Sequence, residues 1–506
     1  MASRVVEFYH NKNVFITGGT GFLGSCLIDK LLRCTNVNNI YLLIRPKKGK
    51  NINERLEELT KNSVFEKLRE DGKSDCFNKL IAISGDVGDE NLGLSSEDRL
   101  TLVEHVNIIF HSAATLDFEG TLKAAIETNL LGTRRVVQLS QEIRNLKSLV
   151  HVSSAYVNSF LLETKEQIYP APADVVELLK LSNELDTNAL EAKSPELLKD
   201  HPNSYTFTKH LAEHEVVNGK VPAGIVRPSM ITGAWHEPVP GWTTSKNGPQ
   251  GFLLGASKGV VRRLPVAANI INDYIPVDIV VNALIVAGYV VGRDESAGIK
   301  VYHCTSSTCN PFKWTQIENK INSYLHKYPL CGAVWYPHLK LLPSIWLYRI
   351  SSIFVHLIPA YILDTVTKVA GGRPILVRMH TNINNSLGRL ERFIFTEWKF
   401  NNPKMLELHE SLSAEDKNIF GLDIRSLCWE DYFVELTKGV RVYLSKEPLK
   451  TLKKARSKDN MLMFANLGLQ AAVLGLIWWI FKLILGASWT STGMIVPIVY
   501  LLFTMI

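Results

Sequence analysis

The chain has 506 residues, too many for one ordinary hydrophobic core, so its length predicts more than one domain. Its 46% hydrophobic and 21% charged residues are typical of a folded chain and exclude an intrinsically disordered one. The net charge of +7 is small and much of it lies in one late basic run, so the charge pattern does not indicate a nucleic-acid partner.

The seven cysteines are scattered along the chain, without a C-x-x-C pair or a histidine cluster at zinc spacing. Isolated cysteines are usual in a reducing compartment, and this pattern predicts no metal site. The N-terminal residues lack an apolar stretch long enough for a signal peptide before the first glycines. We therefore expect the main folded part of the chain to face the cytosol.

Short apolar runs alternate with helical patterns through the first 300 residues, which predicts an α/β fold. The runs are continuously apolar, so both faces of the sheet should be covered, as in a Rossmann-type doubly wound parallel sheet. Ligands of such a sheet bind at the carboxyl ends of the strands. The predicted strands are Asn13–Thr17, Asn39–Ile44, Leu80–Ser84, Val106–His111, Ser148–Ser153 and Ala223–Arg227.

A glycine-rich turn, Thr17–Gly24 (TGGTGFLG), joins the first predicted strand to a helix predicted over Gly24–Cys34. Glycines allow a tight turn and a close approach of the backbone to a pyrophosphate, whose charge the helix N-terminus stabilises. In this strand–turn–helix context the spacing predicts a dinucleotide site. The alternative is a tight turn that binds nothing.

The second predicted strand ends in the sequence IRPKK, where an NAD enzyme usually carries an acid for the ribose hydroxyls. A cation at Arg45 suits a 2′-phosphate instead, so NADPH is the expected cofactor, unless Arg45 is only a solvated loop charge. Asp86, after the third strand, is a candidate acceptor for the adenine amino group. Ala113, after the fourth, is small enough for the cofactor to lie close, although packing alone also explains it.

A polar stretch between Val157 and Asn203 shows little periodicity and is predicted to be a lid or a binding loop. After it, Tyr205 and Lys209 (YTFTK) stand four residues apart, which places both side chains on one face of a helix. A free phenol titrates near pH 10, and the neighbouring cation is expected to lower that pKa. Tyr205 would then donate a proton to a carbonyl oxygen while a hydride reaches the carbon.

The same Y-x-x-x-K pattern recurs at Tyr336–Lys340, but a proline follows that tyrosine and no sheet strand precedes it. We therefore treat the second copy as a coincidence. Ser153 and Ser154 end the fifth predicted strand and are candidates to bind the same carbonyl oxygen. Asn129, in the helix after the fourth strand, either completes a proton relay through water or bonds to a neighbouring backbone group.

The composition changes from about Pro343, and four segments are predicted. Met461–Phe481 is a run of 21 residues without a charge, long enough to cross a bilayer, and Gly493–Ile506 offers a second, shorter run. The basic cluster before Met461 predicts that the preceding domain faces the cytosol. The segments are a Rossmann-type domain with substrate-binding insertions over 1–342, a smaller, mainly helical C-terminal domain over 343–445, a basic linker over 446–460, and a membrane anchor of one or two spans over 461–506.

Taken in order and spacing, TGGTGFLG, HSAAT, NLLGT, HVSSAYVN, YTFTK and RPS resemble the extended short-chain dehydrogenase/reductase superfamily. More narrowly, the chain resembles the eukaryotic fatty acyl-CoA reductases, and this resemblance covers nearly its whole length. The segments that carry it are IRPK, NSYTFTKHLAE, NGPQGFLLGASKGVVRRL and the late series HLIPAYILD, FTEWKFNN, LCWEDYF and GVRVYLSKEP.

This resemblance implies a catalytic set of Ser154, Tyr205 and Lys209, with Ser154 preferred to Ser153 because it precedes Ala-Tyr-Val. It also implies a four-electron reduction of long-chain acyl-CoA to fatty alcohol by NADPH, through a bound aldehyde. The expected place is an intracellular membrane, either endoplasmic reticulum or peroxisome, with membrane lipid as a partner. The expected cofactor contacts are Gly18, Thr20, Gly21, Phe22, Leu23, Gly24, Arg45, Asp86, Val87, Ala113, Tyr205 and Lys209.

Two groups of residues in the second half leave alternatives open. The apolar stretch Ile345–Leu363 either lines an acyl tunnel, lies on the bilayer or forms an ordinary core helix. Lys258, Arg262 and Arg263 either meet the phosphates of CoA or form a solvated basic turn.

Three other functions fit parts of the pattern. A membrane-bound hydroxysteroid dehydrogenase shares the Rossmann core and the Tyr-Lys pair, but Arg45 and the C-terminal domain argue against it. A nucleotide-sugar epimerase or dehydratase would have little use for an apolar tail. A non-catalytic NADPH-binding membrane adaptor would not need an intact Ser-Tyr-Lys set.

Overall fold

The structure is a computed structural model that describes residues 3–47, 49–117, 120–294 and 298–485. The chain forms two compact units, each built from three separate segments. The domains predicted from the sequence are instead continuous ranges of the chain, and those domain boundaries stay a prediction. The first unit contains Met1–Ser245, Ile271–Phe312 and Glu397–Tyr432, and the second contains Lys246–Ile270, Lys313–Thr396 and Phe433–Ile506.

A seven-stranded parallel sheet forms the centre of the first unit, which confirms the predicted doubly wound architecture. The strand order is β7-β6-β5-β4-β1-β2-β3, so the direction of winding reverses between β1 and β4. A sheet of this order binds its ligand in the crevice at that reversal. The strands are β1 Val14–Thr17, β2 Ile40–Ile44, β3 Leu80–Ser84, β4 Ile108–His111, β5 Ser148–Val152, β6 Ala223–Pro228 and β7 Lys300–Cys304.

Six of these strands lie where the apolar runs predicted them, with ends that differ by at most two residues. The seventh, β7, was not predicted, because Lys300 and His303 interrupt its apolar run. Its register against β6, rather than its own composition, defines it as a strand. Shorter parallel pairs join Glu163–Thr164 to Lys399–Phe400, Met230–Thr232 to Tyr274–Pro276, and Arg263–Pro265 to Lys340–Leu342.

Helices surround the strands and form most of the second unit. In the order of the chain they are α1 Arg4–Tyr9, α2 Phe22–Cys34, α3 Ile52–Thr60, α4 Glu66–Glu70, α5 Ser96–His105, α6 Leu122–Ala125, α7 Gly132–Glu142, α8 Val175–Glu184, α9 Thr187–Leu198, α10 Ser204–Asn218, α11 Pro249–Ser257, α12 Val277–Arg293, α13 Ile321–Lys327, α14 Ile345–Ser352, α15 Ile358–Val369, α16 Leu376–Phe395, α17 Pro403–Glu410, α18 Ala414–Phe420, α19 Trp429–Gly439 and α20 Leu452–Leu485. Segments of π-helix occupy Ile126–Leu131, Ile353–Leu357 and Val440–Leu444, and 3₁₀ turns occupy Ser63–Phe65, Ser74–Lys79, Glu90–Gly93, Ala155–Asn158, Trp314–Gln316 and Leu449–Thr451.

The stretch predicted as a loop between Val157 and Asn203 is about half helical, because α8 and α9 lie within it. Aspartates at positions 174 and 186 accept hydrogen bonds from the first free amides of these helices. Leu178 and Leu190 are buried in a cluster with Phe207 and Leu211 of α10. These helices were not predicted from the sequence, because a few apolar side chains are enough to hold a helix that packs on another element.

In the described part of the chain, two helical stretches are long and apolar enough to cross a membrane by length and composition, namely Ile345–Val369 and Leu449–Ile484. Both belong to the second unit. The stretch predicted as a basic linker is helical from Leu452 onward, because α20 carries the basic residues and the apolar run together. The second apolar run, Gly493–Ile506, lies outside the described residues.

Candidate active site

The glycine-rich turn is shaped by steric requirements at two of its glycines. Gly18 has φ of +76°, and an added Cβ would lie 2.7 Å from the amide nitrogen of Ala113. A Cβ on Gly24 would lie 2.3 Å from the carbonyl oxygen of Gly18. Because Gly21 precedes the first turn of α2 and has no side chain to cap it, the N-terminal amides of the helix can face an anion.

The other predicted residues of the turn lie around the start of α2. The amide nitrogen of Gly21 donates to the Gly18 carbonyl oxygen over 3.0 Å, which closes the turn. Phe22 stacks on Trp242 with ring centroids 5.5 Å apart, and Leu23 is half-buried on the same helical turn. The structure therefore brings the predicted turn residues together at the carboxyl end of β1.

The ends of β1 and β4 are joined at the reversal point by a network of polar side chains. The Thr17 hydroxyl lies 2.7 Å from His111 Nδ1 and accepts from the amide of Ala113 over 3.2 Å. His111 Nε2 lies 3.0 Å from the hydroxyl of Thr133. Burial, and then the charge of Lys209, lower the pKa of His111 to about 3, so this histidine is a neutral structural link.

Arg45 and Asp86 form an ion pair of 3.0 Å between the ends of β2 and β3. The other carboxylate oxygen of Asp86 accepts from the amide of Gly88 over 3.0 Å. The aspartate thus holds the arginine and a turn, in addition to any adenine contact. The pair borders a cavity of about 510 Å³ that is lined by Arg45, Pro46, Lys47, Ser84, Gly85, Asp86, Asp89 and Gly93.

Arg55 is a second cation in this region, and it was not predicted from the sequence. From α3 it donates to the carbonyl oxygen of Arg45 and, over 3.5 Å, to the hydroxyl of Thr20 in the glycine-rich turn. Its guanidinium therefore links two of the predicted cofactor residues. The available signal was the capping box of Asn51 and Glu54, which marks a helix start beside the β2 end and so places Arg55 in its first turn.

Val87 packs against the helical segment that follows β4, and Asn129 is part of that segment. The Val87 side chain is buried, and an added Cβ on Gly132 would come within 3.1 Å of it. Asn129 Oδ1 accepts from the amide of Thr115 over 2.9 Å, and its Nδ2 donates to the hydroxyl of Thr208 over 3.2 Å. Asn129 thus ties the loop after β4 to α10, and both ends of its amide have protein partners.

Tyr205 and Lys209 lie in the first two turns of α10, which begins where the Asn203 side chain accepts from the amide of Thr206. The Tyr205 phenol is hydrogen-bonded to the Ser154 side chain at the end of β5. The Lys209 ammonium is buried and donates to the carbonyl oxygen of Val152 over 2.6 Å. The structure therefore brings Ser154, Tyr205 and Lys209 together.

The two rival candidates from the sequence are placed elsewhere. Ser153 donates to a carboxylate oxygen of Glu213 over 2.6 Å, so its hydroxyl already has a partner on the other side of the strand end. Tyr336 belongs to the second unit, where its ring stacks on His326, and Lys340 begins a short strand. The second Y-x-x-x-K copy is thus not on one helix face.

Burial dominates the proton affinities of this site. Burial raises the pKa of Tyr205 to about 12, and the hydrogen bond to Ser154 opposes the shift only in part. Burial lowers the pKa of Lys209 to about 8, although the charge of Glu213 acts in the opposite direction. The expected net fall in the pKa of Tyr205 is therefore wrong for this structure, because burial outweighs the effect of the neighbouring groups. Tyr205 is a protonated phenol at neutral pH and can act as a proton donor.

Beneath the site, Glu213 and Arg227 form a fully buried bidentate ion pair with contacts of 2.8 and 2.6 Å. Arg227 also lies 3.1 Å from His303 Nε2 on β7. Burial alone would raise the pKa of Glu213, but the Arg227 charge and the hydrogen bonds from Arg227 and Ser153 together outweigh burial and lower that pKa. Glu213 lies one helical turn after Lys209, a spacing that could have indicated its role.

The fold and this site define a nicotinamide-dependent reductase of the extended short-chain dehydrogenase/reductase type. Two family models, both described as male sterility protein, match the chain. The NAD-binding model matches residues 16–284, and the model named Sterile matches residues 355–447. In the described ranges no group of three or more His, Cys, Asp or Glu side chains could hold a metal ion.

The relatives narrow the class to a family. CG8306 of Drosophila melanogaster, provisionally named a fatty acyl-CoA reductase, is 54% identical over 99% of both chains. Fatty acyl-CoA reductase 1 of Xenopus laevis is 36% identical over 94% of this chain and 93% of its own, and that of Homo sapiens is 35% identical over the same shares. The chain belongs to the fatty acyl-CoA reductase family.

Solved structures agree on the fold. The reductase domain of a non-ribosomal peptide synthetase from Mycobacterium tuberculosis is 17% identical, with a TM-score of 0.54 over 87% of this chain and 95% of its own. The terminal R domain of the myxalamid biosynthetic pathway is 18% identical, with a TM-score of 0.53 over 83% and 90%. At these identities the likeness supports the architecture alone.

We predict that Glu213→Gln destabilises the protein by about 3–5 kcal/mol, because Arg227 would keep a buried charge without its counter-ion. Glu215→Gln is the matched control, since Glu215 lies on the same helix and pairs with Arg134, which is partly exposed. Glu215→Gln should lower the free energy of unfolding by clearly less than Glu213→Gln does. Denaturant unfolding of the three proteins at pH 7 measures both values, and equal losses would show that the buried pair has no special role.

Proposed function

We propose that this protein reduces long-chain fatty acyl-CoA to the fatty alcohol with NADPH and releases free CoA. The observation that carries the proposal is the hydrogen bond between Tyr205 and Ser154, next to the buried cation of Lys209, at the carboxyl ends of the strands. The acyl-CoA substrate is supported by the relatives, since the Homo sapiens protein named fatty acyl-CoA reductase 1 aligns over 94% of this chain.

The glycine-rich turn fits the pyrophosphate of a dinucleotide. Side chains at positions 18 and 24 would collide with the backbone, so only glycine allows this tight turn. The turn leaves the N-terminus of α2 accessible to a pyrophosphate. NADPH, when bound there, supplies the hydride for each reduction. Gly18, Gly21 and Gly24 would hold the pyrophosphate, and Ala113 would leave room for the rest of the cofactor.

In the reaction, the Ser154 hydroxyl would donate a hydrogen bond to the thioester carbonyl oxygen and Tyr205 would give that oxygen a proton as the carbon accepts a hydride. The resulting hemithioacetal breaks its carbon–sulfur bond, and the CoA sulfur leaves with a proton. The aldehyde that remains accepts a second hydride and a second proton to become the alcohol. Lys209 stabilises the negative charge that Tyr205 acquires at each proton transfer.

Preference for NADPH would come from two arginines. Arg45 at the end of β2 has 58% of its side chain exposed, so a 2′-phosphate can reach it while Asp86 orients it. Arg55 approaches the same region from α3. Planar guanidinium groups bind phosphate by paired hydrogen bonds, which explains why a pair of arginines suits this position.

The membrane anchor is part of the proposal. None of the most apolar stretch of α20 is buried in protein, and at about 1.5 Å per residue the predicted span of Met461–Phe481 has a length of about 30 Å. We assign the catalytic unit to the cytosolic face of an intracellular membrane, because the basic residues of α20 precede the apolar ones.

Replacing Tyr205 with phenylalanine should reduce acyl-CoA reduction by roughly 10²–10⁴, because a positioned proton donor is lost. Tyr336→Phe is the matched control and should leave the rate nearly unchanged. The assay follows NADPH oxidation and alcohol formation from a long-chain acyl-CoA, with cofactor binding measured in parallel. If Tyr336→Phe proved the damaging change, the site would be misplaced.

Arg45→Asp should shift the ratio of kcat/KM for NADPH over kcat/KM for NADH toward NADH, because an acid repels the 2′-phosphate and accepts from ribose hydroxyls. Arg55→Ala should lower kcat/KM for NADPH more than for NADH. Lys67→Asp, an exposed cation on α4, serves as the charge control. A ratio that stays constant in both arginine variants would remove these residues from cofactor recognition.

Deletion of residues 471–506 should give a protein that alkaline extraction releases from membranes more completely than the full chain but that still reduces acyl-CoA in detergent micelles. The cut follows Asn466, whose side chain accepts from the Trp335 indole over 2.9 Å and is needed within the second unit. Sedimentation and activity are measured on the same samples. A released, folded and inactive protein would show that the tail builds part of the substrate site.

A further inference from the structure

The helical stretch Ile345–Val369 has its polar and apolar faces reversed relative to a helix of a water-soluble domain. Its polar residues Ser351 and His356 are 0% and 3% exposed. Its large apolar side chains face outward, from Trp346 at 67% to Val369 at 85% exposed. The other outward residues are Leu347, Ile350, Ile353, Phe354, Ile358, Tyr361, Ile362, Leu363 and Val366. Such a continuous apolar patch marks an interaction surface.

The inward face of this stretch is fixed to its own unit by specific polar contacts. His356 Nε2 accepts from the backbone amides of Arg262 and Arg263 over 3.0 and 3.2 Å. The Tyr348 hydroxyl donates to Asn384 of α16 over 2.5 Å. One side of the helix is thus occupied by protein along its first half, so lipid could reach only the opposite side.

The second apolar helix of the unit meets this stretch at Arg262. The Arg262 guanidinium donates to Asn466 Oδ1 of α20 over 3.4 Å, while its backbone amide is bound by His356. Beyond Asn466 the exposed face of α20 is also apolar, with Leu467 and Leu469 each about half exposed. Two outward apolar surfaces therefore converge on one arginine.

Cations are concentrated where the apolar surfaces meet. Lys340 is paired in register with Arg263 in the short two-stranded sheet. Burial, followed by the charge of Arg262, lowers the pKa of Arg263 to about 10, which shows that like charges crowd here. Arg349 lies over the Trp346 ring at 5.0 Å on the outward side. A layer of phosphate groups next to apolar chains is the chemical complement of this arrangement.

We propose that the outward face of Ile345–Val369 lies in the plane of a phospholipid bilayer, embedded among acyl chains at the headgroup boundary, as a second membrane contact beside α20. The occupant is lipid rather than a second copy of the chain, because the apolar surface continues onto a helix long enough to enter a bilayer and is bordered by cations. The proposal goes beyond acyl-CoA reduction and holds whatever the substrate is.

The test uses the full-length protein in phosphatidylcholine vesicles that contain a lipid with a photoactivatable group on its acyl chain. After illumination, mass spectrometry should find label on peptides from residues 345–369 as well as on α20. Peptides from α16 should stay unlabelled, because its exposed residues, such as Arg378, Asn385 and Arg389, are polar. The inactive variant Tyr205→Phe should give the same pattern, which separates this proposal from the proposed reaction.

A paired substitution completes the test. Ile350→Asp with Phe354→Asp should abolish labelling of residues 345–369 while α20 remains labelled, and Asn385→Asp with Ser386→Asp on α16 should change nothing. Cofactor binding and thermal unfolding confirm that each variant is folded. Absence of label on residues 345–369 in the parent protein would overturn the proposal. Crosslinks between two copies at residues 345–369, formed by a separate protein–protein crosslinker in the same vesicles, would also overturn it, because a second chain would then cover the surface.

Discussion

The salt bridge between Glu213 and Arg227 holds together the three elements that form the site. Both side chains are fully buried, so neither charge can be left alone without a large cost. Glu213 is on α10, one turn beyond Lys209, and also accepts from Ser153, the neighbour of Ser154. The pair thereby fixes the helix that carries Tyr205 against the end of β5, where the serine hydroxyl meets the phenol.

Burial explains why the pKa values of Tyr205 and Lys209 differ from those that neighbouring charges alone would predict. The same low-dielectric surroundings disfavour the ionised forms of both groups, which moves the pKa of Tyr205 up and that of Lys209 down. A reductase needs the phenol in its protonated form when the hydride arrives. The lysine, with a pKa of about 8, can still carry its charge at neutral pH because Glu213 lies nearby.

Local patterns made much of this architecture predictable, and contacts between distant residues account for most of what was missed. Apolar runs identified six strands, and the glycine spacing identified the turn before α2, since each depends on adjacent residues. The strand β7 and the helices α8 and α9 were missed because contacts with other elements define them. The raised pKa of Tyr205 was missed for the same reason, since burial cannot be read from a five-residue motif. Arg55 was missed although the capping box of Asn51 and Glu54 is a local signal for its helix.

The division of each unit into three separate segments affects how the chain can fold during synthesis. The hydroxyl of Ser3 donates to Asp416, a partner 413 residues further along, and the amide of Val5 donates to the same carboxylate. At about 5–20 residues per second, the N-terminal helix would wait roughly 20–80 s on the ribosome for that partner. Until then the first unit lacks its last segment, Glu397–Tyr432, and an incompletely packed nascent chain of this kind is expected to need chaperones.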